Sequence, residues 1–356
     1  MATTSHRSAL ARFFSANASG YLIVLLLAAA LALSTDTFLT GANLDSLGRQ
    51  VSIFAIIAVG QLVVMLTAGI DLADGSVAGM TGIVVAQMVH DTVGPGPLGL
   101  GIAAALAAGV ISGILTGLLV AFMRITPFIA SLGMMTIARG AALLFSHGRT
   151  IQPLPDAFET IAGGSMFAIP NLVIFTIVIV VIFSFLLTKT TWGRYVHAIG
   201  SNEESARLSG VPVKSVLVSV YAVSGLLAAF GGILLASRLN NGVPTTGTRY
   251  ELQAIAACVI GGASLFGARG TAMGALIGAL IVGMLNNGGS LLGVDPFWLQ
   301  IAIGVLILAA VAADQASTWL PLIQARLHSG GTRTPDWGVD TATSDDGPTE
   351  PNPAVG

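Results

Sequence analysis

The charged side chains that could act chemically are concentrated in one polar segment, residues 191–215. It contains Arg194, His197, Glu203, Glu204, Arg207 and Lys214. Long apolar segments flank it on both sides. Burying these charges in hydrocarbon would cost several kcal/mol each. The segment is therefore expected to lie in water between two membrane spans.

Within this segment, residues 202–210 predict a short amphipathic helix. Ser201 or Asn202 can cap its start, and Gly210 can end it. The first turn carries two carboxylates, which the helix dipole favours, and small or apolar side chains further on could contact a partner. These residues are Glu203 and Glu204, then Ala206 and Leu208. Held between two spans, such a helix can pass on a movement imposed by another protein.

The sequence contains no recognisable catalytic arrangement. Its histidines have no serine or cysteine nucleophile at a known spacing. A nucleotide-binding loop needs Gly-Lys-Ser/Thr, but the two lysines, Lys189 and Lys214, follow Thr188 and Val213. The single cysteine, Cys258, cannot form an internal disulfide, and no metal-ligand spacing occurs. We expect neither catalysis nor a cofactor or metal in this chain. If the protein works against a gradient with ATP, another chain must supply the ATPase.

The composition indicates the kind of fold that holds these residues in place. Of the 356 residues, 54% are hydrophobic and 9% are charged, whereas soluble domains carry about 25% charged residues. The mean hydropathy is +0.85. The net charge of -2, without a basic block, argues against nucleic-acid binding. The many glycines suit closely packed membrane helices. The chain is predicted to be an all-α, polytopic transmembrane bundle in a lipid bilayer.

About ten spans are predicted. They are residues 21–33, 51–68, 76–90, 98–123, 127–145, 169–188, 216–237, 252–262, 271–292 and 297–313. The span 252–262 is short, so it is either a half-helix or tilted. Residues 34–50 are polar and expected outside. Alternatively, an A-x-A pattern at residues 30–32 would make the first span a cleaved signal peptide.

The distribution of Lys and Arg favours both termini in the cytoplasm. The predicted division is a cytoplasmic N-terminal segment (1–20), a membrane domain (21–313) and a disordered cytoplasmic tail (314–356). Residues 191–215 then form a cytoplasmic loop. Residues 69–72 faintly resemble residues 262–265, which leaves an internal repeat open.

A few polar residues in or beside the spans are candidates for a path or gate. They are Asp71, Asp74, Gly75, Arg139, Gln253, Asn286 and Asn287. For the two aspartates the plainer alternative is a solvated loop carboxylate or a helix cap, and for the two asparagines it is a tie between helices. Arg139 is either a helix–helix tie, a path residue or a side chain that snorkels to the interface. Three outer arginines, Arg149, Arg238 and Arg249, are candidate contacts for an extracytoplasmic partner or are simple surface residues.

Several motifs together resemble the permease subunits of bacterial ABC importers of the ribose/xylose/galactose type. They include GIDLADGSVAGMTG (69–82), TPFIASLGMMTIARG (126–140) and GRYVHAIGSNEESARLSGVPV (193–213). The resemblance covers most of residues 51–314. One departure is Ala73-Asp74, where the family usually has Ser-Val, so that this chain gains a carboxylate.

The resemblance implies a coupling role for the short helix. Residues 204–210 look like the family's Glu-Ala-Ala-x-x-x-Gly pattern, with Ser205 at the first alanine. Such a loop docks in a cleft of a cytoplasmic ATPase. The implied ATPase-coupling residues are Glu203, Glu204, Ala206, Arg207, Leu208 and Gly210.

The resemblance also implies the assembly. Its partners would be a second permease subunit (identical or not), an ATPase that holds ATP and Mg, and an extracytoplasmic sugar-binding protein. The chain would then import a pentose or hexose across the bacterial cytoplasmic (inner) membrane by alternating access. Branched-chain amino acids, nucleosides or a furanose-like signal are alternative solutes. A stand-alone secondary transporter or channel would need an acidic or histidine relay within the spans, and the sequence shows none.

Overall fold

A computed structural model of the chain describes residues 18–90, 98–167, 169–306, 308–309 and 311–312. In the described part the regular elements are helices and one short two-stranded hairpin, joined by loops. The helices are α1 (Ala18–Ser34), α2 (Gly41–Leu66), α3 (Asp74–Val89), α4 (Leu98–Ala121), α5 (Pro127–Ser146), α6 (Asp156–Gly163), α7 (Asn171–Lys189), α8 (Thr191–Ser201), α9 (Glu203–Leu208), α10 (Val213–Leu239), α11 (Tyr250–Ile260), α12 (Ala272–Leu291) and α13 (Pro296–Leu306). The strands β1 (Ser165–Met166) and β2 (Ile169–Pro170) are antiparallel.

The all-α polytopic prediction is confirmed. Among the described residues, six helices are long and apolar enough to cross a membrane: α2, α4, α5, α7, α10 and α12. Each of the ten predicted spans coincides with a helix, most within a few residues at either end. The predicted tail, 314–356, lies outside the described residues, as does most of the predicted N-terminal segment.

The start of α2 corrects one prediction. Residues 34–50 were expected to be a polar outer segment, but the helix already begins at Gly41. Thr40 caps it by accepting a hydrogen bond from the Asn43 backbone N–H (3.4 Å). Asp45 and Arg49 form an ion pair one turn apart (2.7 Å). A cap and an i,i+4 pair stabilise a polar first turn, so the helix extends beyond its apolar part.

The helix α2 lies at the centre of the bundle. Its most apolar stretch is 89% buried, compared with 28% for each of α4, α5 and α7. Those three helices therefore turn much of their apolar surface outward, as lipid-facing helices do. A buried position for α2 means that any polar side chain on it faces protein. Gln61 is such a residue and is fully buried.

Close packing of α10 against α4 depends on glycines four residues apart. These are Gly109, Gly113 and Gly117 of α4. A Cβ atom at Gly113 would lie 2.1 Å from the backbone carbonyl oxygen of Tyr221 in α10, and one at Gly117 would lie 2.8 Å from the Cα atom of Val218. Spacing of this kind lets membrane helices approach at backbone distance. It fixes the position of α10, which carries several residues of the site.

The helix α11 is too short to cross a bilayer. Its eleven residues extend about 16 Å, roughly half of the hydrocarbon thickness. Of the two alternatives for this span, its length favours the half-helix. The loop 240–249 before it packs on the first turn of α3, where a Cβ at Gly75 would lie 2.3 Å from the carbonyl oxygen of Gly247. The turn after it reaches the end of α2, where Ala268 N donates to Leu66 O (3.0 Å).

Candidate functional site

The polar segment 191–215 folds as two helices. The predicted short helix is α9, and of the two proposed caps the structure uses Asn202, whose side chain accepts from Ser205 N (2.8 Å). Gly210 follows with φ of +83°, a conformation that suits glycine. The preceding helix, α8, was not predicted. Its signals were Thr190, which caps it by accepting from Gly193 N (3.2 Å), and apolar residues at helical spacing.

The helix α9 is fixed to the bundle on one face and exposed on the other. Ala206 was predicted as a possible partner contact, but it is 5% exposed and packs in this chain's own core. It therefore anchors the helix. Leu208 is 80% exposed. Trp192 Nε1 of α8 donates to Ser219 Oγ of α10 (2.8 Å), so α8 is tied to a membrane helix.

An ion pair lies on the exposed face of α9. Arg207 donates from Nη2 to both carboxylate oxygens of Glu204 (2.5 and 2.7 Å). The hydrogen bond from Arg207 to Glu204 raises the pKa of Arg207. Glu203 is exposed beside them, and neither of the two ion pairs among the described residues includes it. A charged pair beside an exposed leucine is the surface composition expected of a docking helix.

A cavity of about 710 Å³ leads inward from α9. Its lining includes Arg124, Glu204, Arg207 and Lys214 near the surface, and Gly69 and Tyr221 further in. The ammonium of Lys214 lies 4.9 Å from the centre of the Phe122 ring, a cation–π arrangement. The cavity thus connects the surface helix with the interior of the bundle at α10.

Beyond Tyr221 lies a group that we call the buried carboxyl cluster, formed by Asp71, Asp74, Ser224 and Gln61. Ser224 Oγ is 3.1 Å from Asp71 Oδ2 and 2.8 Å from Asp74 Oδ1. The Gln61 amide nitrogen, turned toward the carboxylates, lies 2.9 Å from both Asp74 Oδ2 and the Asp71 backbone oxygen. Asp71 and Asp74 are 3% and 1% exposed, so they are not solvated loop residues. The cluster joins the start of α3 to α2 and α10.

Arg139 does not snorkel to a surface. Its Nη1 donates to the backbone oxygens of Pro244 (3.0 Å) and Thr246 (3.2 Å), which ties α5 to the loop 240–249. Glu251, at the start of α11, interacts electrostatically with the guanidinium. Gly75 lies against the same loop. Asp71, Asp74, Gly75 and Arg139 thus surround one region, as predicted for a gate, although their role is still a prediction.

The other three path candidates lie elsewhere. Gln253 and Asn286 line a separate pocket of about 330 Å³ with Arg249 and Gln300. Asn287 pairs with Asn43 through two amide hydrogen bonds (2.8 and 3.1 Å). The pair ties α12 to α2. Asn287 therefore has the role of a tie between helices, the predicted alternative to a place on the path. The seven candidates therefore do not form one site.

The outer arginines differ in their availability to a partner. Arg149 and Arg249 are exposed, and Arg249 Nη1 donates to Gln300 Oε1 (2.6 Å). Arg238 is only partly exposed and interacts with Tyr250 and Asp45. Contact with an extracytoplasmic partner stays a prediction for all three.

Sequence reasoning passed over three residues that the structure places at or beside the buried carboxyl cluster. They are Gln61, Tyr221 and Ser224. The sequence feature that could have indicated Gln61 is its polar amide within an otherwise apolar span. Ser224 and Tyr221 are ordinary residues for a helix of this kind, and only the fold brings them to Asp71 and Asp74.

His197 of α8 gives a prediction for pH dependence. Within the described residues its Nδ1 atom is buried without a hydrogen-bond partner, and burial lowers its pKa. Unfolded histidine titrates near pH 6.5, so the folded chain binds fewer protons. Stability from neutral His197 is present above about pH 6.5 and is lost as the pH falls below it.

We expect the melting temperature of the wild type to fall between about pH 7.5 and pH 5.5, and to fall less in His197→Asn. His147→Asn is the control because His147 is exposed and is in a left-handed conformation (φ 51°) that asparagine adopts. A pH profile that is unchanged in His197→Asn would contradict this assignment.

The described helices form a polytopic bundle with a capped, partly exposed helix, α9, at its surface. The sequence profile described as "Branched-chain amino acid transport system / permease component" matches residues 43–311. The chain belongs to this permease family, and it is a multi-pass membrane protein.

Curated relatives cover most of the chain. It is similar to the ribose import permease protein of Haemophilus influenzae, with 40% identity over 83% of this chain and 91% of that protein. The ribose import permease protein of Bacillus subtilis is 44% identical, over 78% and 86%. The L-arabinose transport system permease protein of Escherichia coli is 38% identical, over 80% and 86%. No solved structure matches the chain.

Proposed function

We propose that this chain is the membrane-spanning permease of an ABC importer that moves a monosaccharide across the bacterial cytoplasmic membrane. The observation that carries the proposal is α9: a capped helix, anchored through Ala206, that presents Leu208 and an ion pair to solvent. Such a helix suits a partner that pushes on it. Through α8 and the bond from Trp192 to Ser219, that push would reach α10, which carries part of the buried carboxyl cluster.

The relatives support a sugar as the solute. The family description names branched-chain amino acids, but relatives at 38–44% identity are named for ribose and arabinose, and another at 38% for fructose. Sparse charge in the spans suits a neutral solute. Branched-chain amino acids, nucleosides and a furanose-like signal are the competing solutes for the experiment below.

In the proposed assembly, other subunits bind ATP and capture the sugar. A cytoplasmic ATPase binds ATP and Mg and docks on α9. An extracytoplasmic binding protein delivers the sugar, and a second permease subunit completes the membrane unit. This chain is not an enzyme in the proposal and binds no cofactor. Its contribution is a passage that opens alternately to either side.

The test is uptake of labelled pentoses and hexoses into proteoliposomes that contain the chain, its candidate ATPase and, outside, the binding protein. We expect uptake that requires ATP and every partner. Unlabelled leucine and adenosine serve as competitors for the alternative solutes. Glu204→Lys combined with Gly210→Val should abolish uptake, because the first reverses an exposed charge and the second strains a residue at φ +83°.

Asp156→Lys is the matched control, since it reverses another exposed carboxylate in the first turn of a helix, at a distance in sequence from α9. It should leave uptake nearly unchanged. Uptake by the chain alone, insensitive to the α9 changes, would instead support a secondary transporter or channel. Competition by leucine or adenosine but not by sugars would reassign the solute while leaving the ABC importer intact.

A further inference from the structure

The buried carboxyl cluster contains a hydroxyl group with two carboxyl contacts. Ser224 Oγ lies within hydrogen-bond distance of Asp71 Oδ2 (3.1 Å) and of Asp74 Oδ1 (2.8 Å). Asp74 is the carboxylate that distinguishes this chain from the usual pattern of the motif. The remaining oxygens have their own donors: Ala73 N donates to Asp71 Oδ1 (2.9 Å), and the Gln61 amide donates to Asp74 Oδ2 (2.9 Å).

Counting protons shows what this geometry requires. A serine hydroxyl has one proton and can donate it to only one acceptor. If both carboxyl groups were ionised, the second contact would set an acceptor oxygen against another acceptor. A proton on either aspartate completes the chain, since one carboxyl donates to Ser224 Oγ and Ser224 donates to the other. One proton on the pair satisfies these four contacts. The two carboxyl groups also contact each other directly, and that contact likewise needs a proton on one of them.

The surroundings also disfavour two adjacent anions. The ion pairs of the described chain, Asp45–Arg49 and Glu204–Arg207, are both outside the cluster. The ionisable side chains that face the pair are Tyr221 of α10 and two of α11, Cys258 and Glu251. None of them is a cation, and α2 contributes only the amide of Gln61.

The arginine that interacts with Glu251 is engaged by backbone carbonyls. This residue, Arg139 of α5, bonds to the oxygens of Pro244 and Thr246. Also from α5, Ser131 faces the region with a neutral hydroxyl, which donates to Ile70 O (3.2 Å). The start of α3 offers a helix dipole, which favours one negative charge. Two neighbouring buried carboxylates without a cation normally keep a proton between them.

We propose that Asp71 and Asp74 share one proton, and that this singly charged pair, bridged by Ser224, locks the start of α3 to α2 and α10 above the inner cavity. Asp71, Asp74 and Ser224 are positioning residues in this proposal. The proposal does not depend on the solute or on the ATPase. Without Asp74, Asp71 would be ionised and would simply accept the hydrogen bond of Ser224; with Asp74 present, the pair retains a proton.

Infrared spectroscopy of the full chain in lipid nanodiscs tests the shared proton. Near pH 7, ionised carboxylates give no carboxylic-acid carbonyl band. We expect the wild type to show such a band, shifted in D₂O, and to keep it in Glu251→Gln, which removes the partly buried acid beside the pair. Asp71→Asn and Asp74→Asn should each lose it, because the asparagine amide takes over donation to Ser224 and the remaining carboxylate is ionised. Glu204→Gln, at the surface, should not change it.

Three results would overturn the proposal. The absence of the band in the wild type would mean that both carboxyl groups are ionised. A band that is halved in each single asparagine variant would mean that both are protonated. If a variant does not fold, a pH titration of the carbonyl band of the wild type still tests the proposal. The band should disappear as the pH rises, and the melting temperature should fall with it, because the folded state binds the extra proton. A band constant up to the alkaline unfolding of the chain contradicts a proton shared with an ionised partner.

Discussion

Gly113→Leu is expected to prevent stable folding of the permease. Even a Cβ atom at this position would lie 2.1 Å from the backbone oxygen of Tyr221 and 3.0 Å from the Cα atom of Ala222. Backbone atoms of α10 cannot move aside as a flexible side chain does. Overpacking in a core costs typically 1–3 kcal/mol, and we expect a loss above about 3 kcal/mol here because the helices must separate. Size-exclusion chromatography and melting temperature in detergent measure the effect.

Gly133→Leu is the matched control for this change. Gly133 is also in the interior of a membrane helix, α5, but it is exposed, and a Cβ atom there would have no neighbour within 4 Å among the described residues outside its own helix. The same increase in size should therefore leave the elution profile and melting temperature close to the wild type. A Gly113→Leu protein that is as monodisperse and stable as Gly133→Leu would contradict the close approach of α4 and α10.

Leu208→Asp is expected to weaken binding of the partner ATPase at least about tenfold without destabilising the permease. Leu208 is 80% exposed on α9, so its replacement removes no internal packing. Burying a leucine in a partner's cleft contributes about 1.5–3 kcal/mol, and an aspartate would have to be desolvated there instead. Affinity measured between detergent-solubilised permease and ATPase, together with uptake in proteoliposomes, gives the size of the effect.

The conservative variant Leu208→Met separates docking from folding. Methionine preserves apolar volume and should keep binding within a few-fold of the wild type. The melting temperature should be the same in all three proteins. Normal ATPase binding by Leu208→Asp would show that the exposed face of α9 is not the docking surface, whereas a lowered melting temperature would show that Leu208 is packed within the chain.

The sequence predicts the elements whose signals are local. Asn202, the carboxylates after it and Gly210 define α9 within nine residues, and the structure follows them closely. Most span ends were predicted from where the apolar runs stop, and they agree with the helix ends within a few residues. The start of α2 was missed because its first turns are polar and are held by Thr40 and an ion pair, which hydropathy does not record.

The site itself depends on contacts between distant parts of the chain. Asp71 meets Ser224 across 153 positions of sequence, and no local pattern indicates that pairing. Asn286 and Asn287 are adjacent and were predicted together. On a helix, however, neighbours point about 100° apart, so one lines a pocket while the other pairs with Asn43. For Arg139, spacing alone could not distinguish an internal tie from a snorkelling side chain.

The tie between Arg139 and the loop 240–249 has a mechanical consequence. Both of its hydrogen bonds leave one guanidinium nitrogen, and they reach two carbonyls of the same loop. Gly79 lies under that loop, where even a Cβ would come within 2.5 Å of the Thr246 oxygen. The loop 240–249 and α5 are therefore expected to move together while both bonds hold, so that a displacement of one carries the other with it.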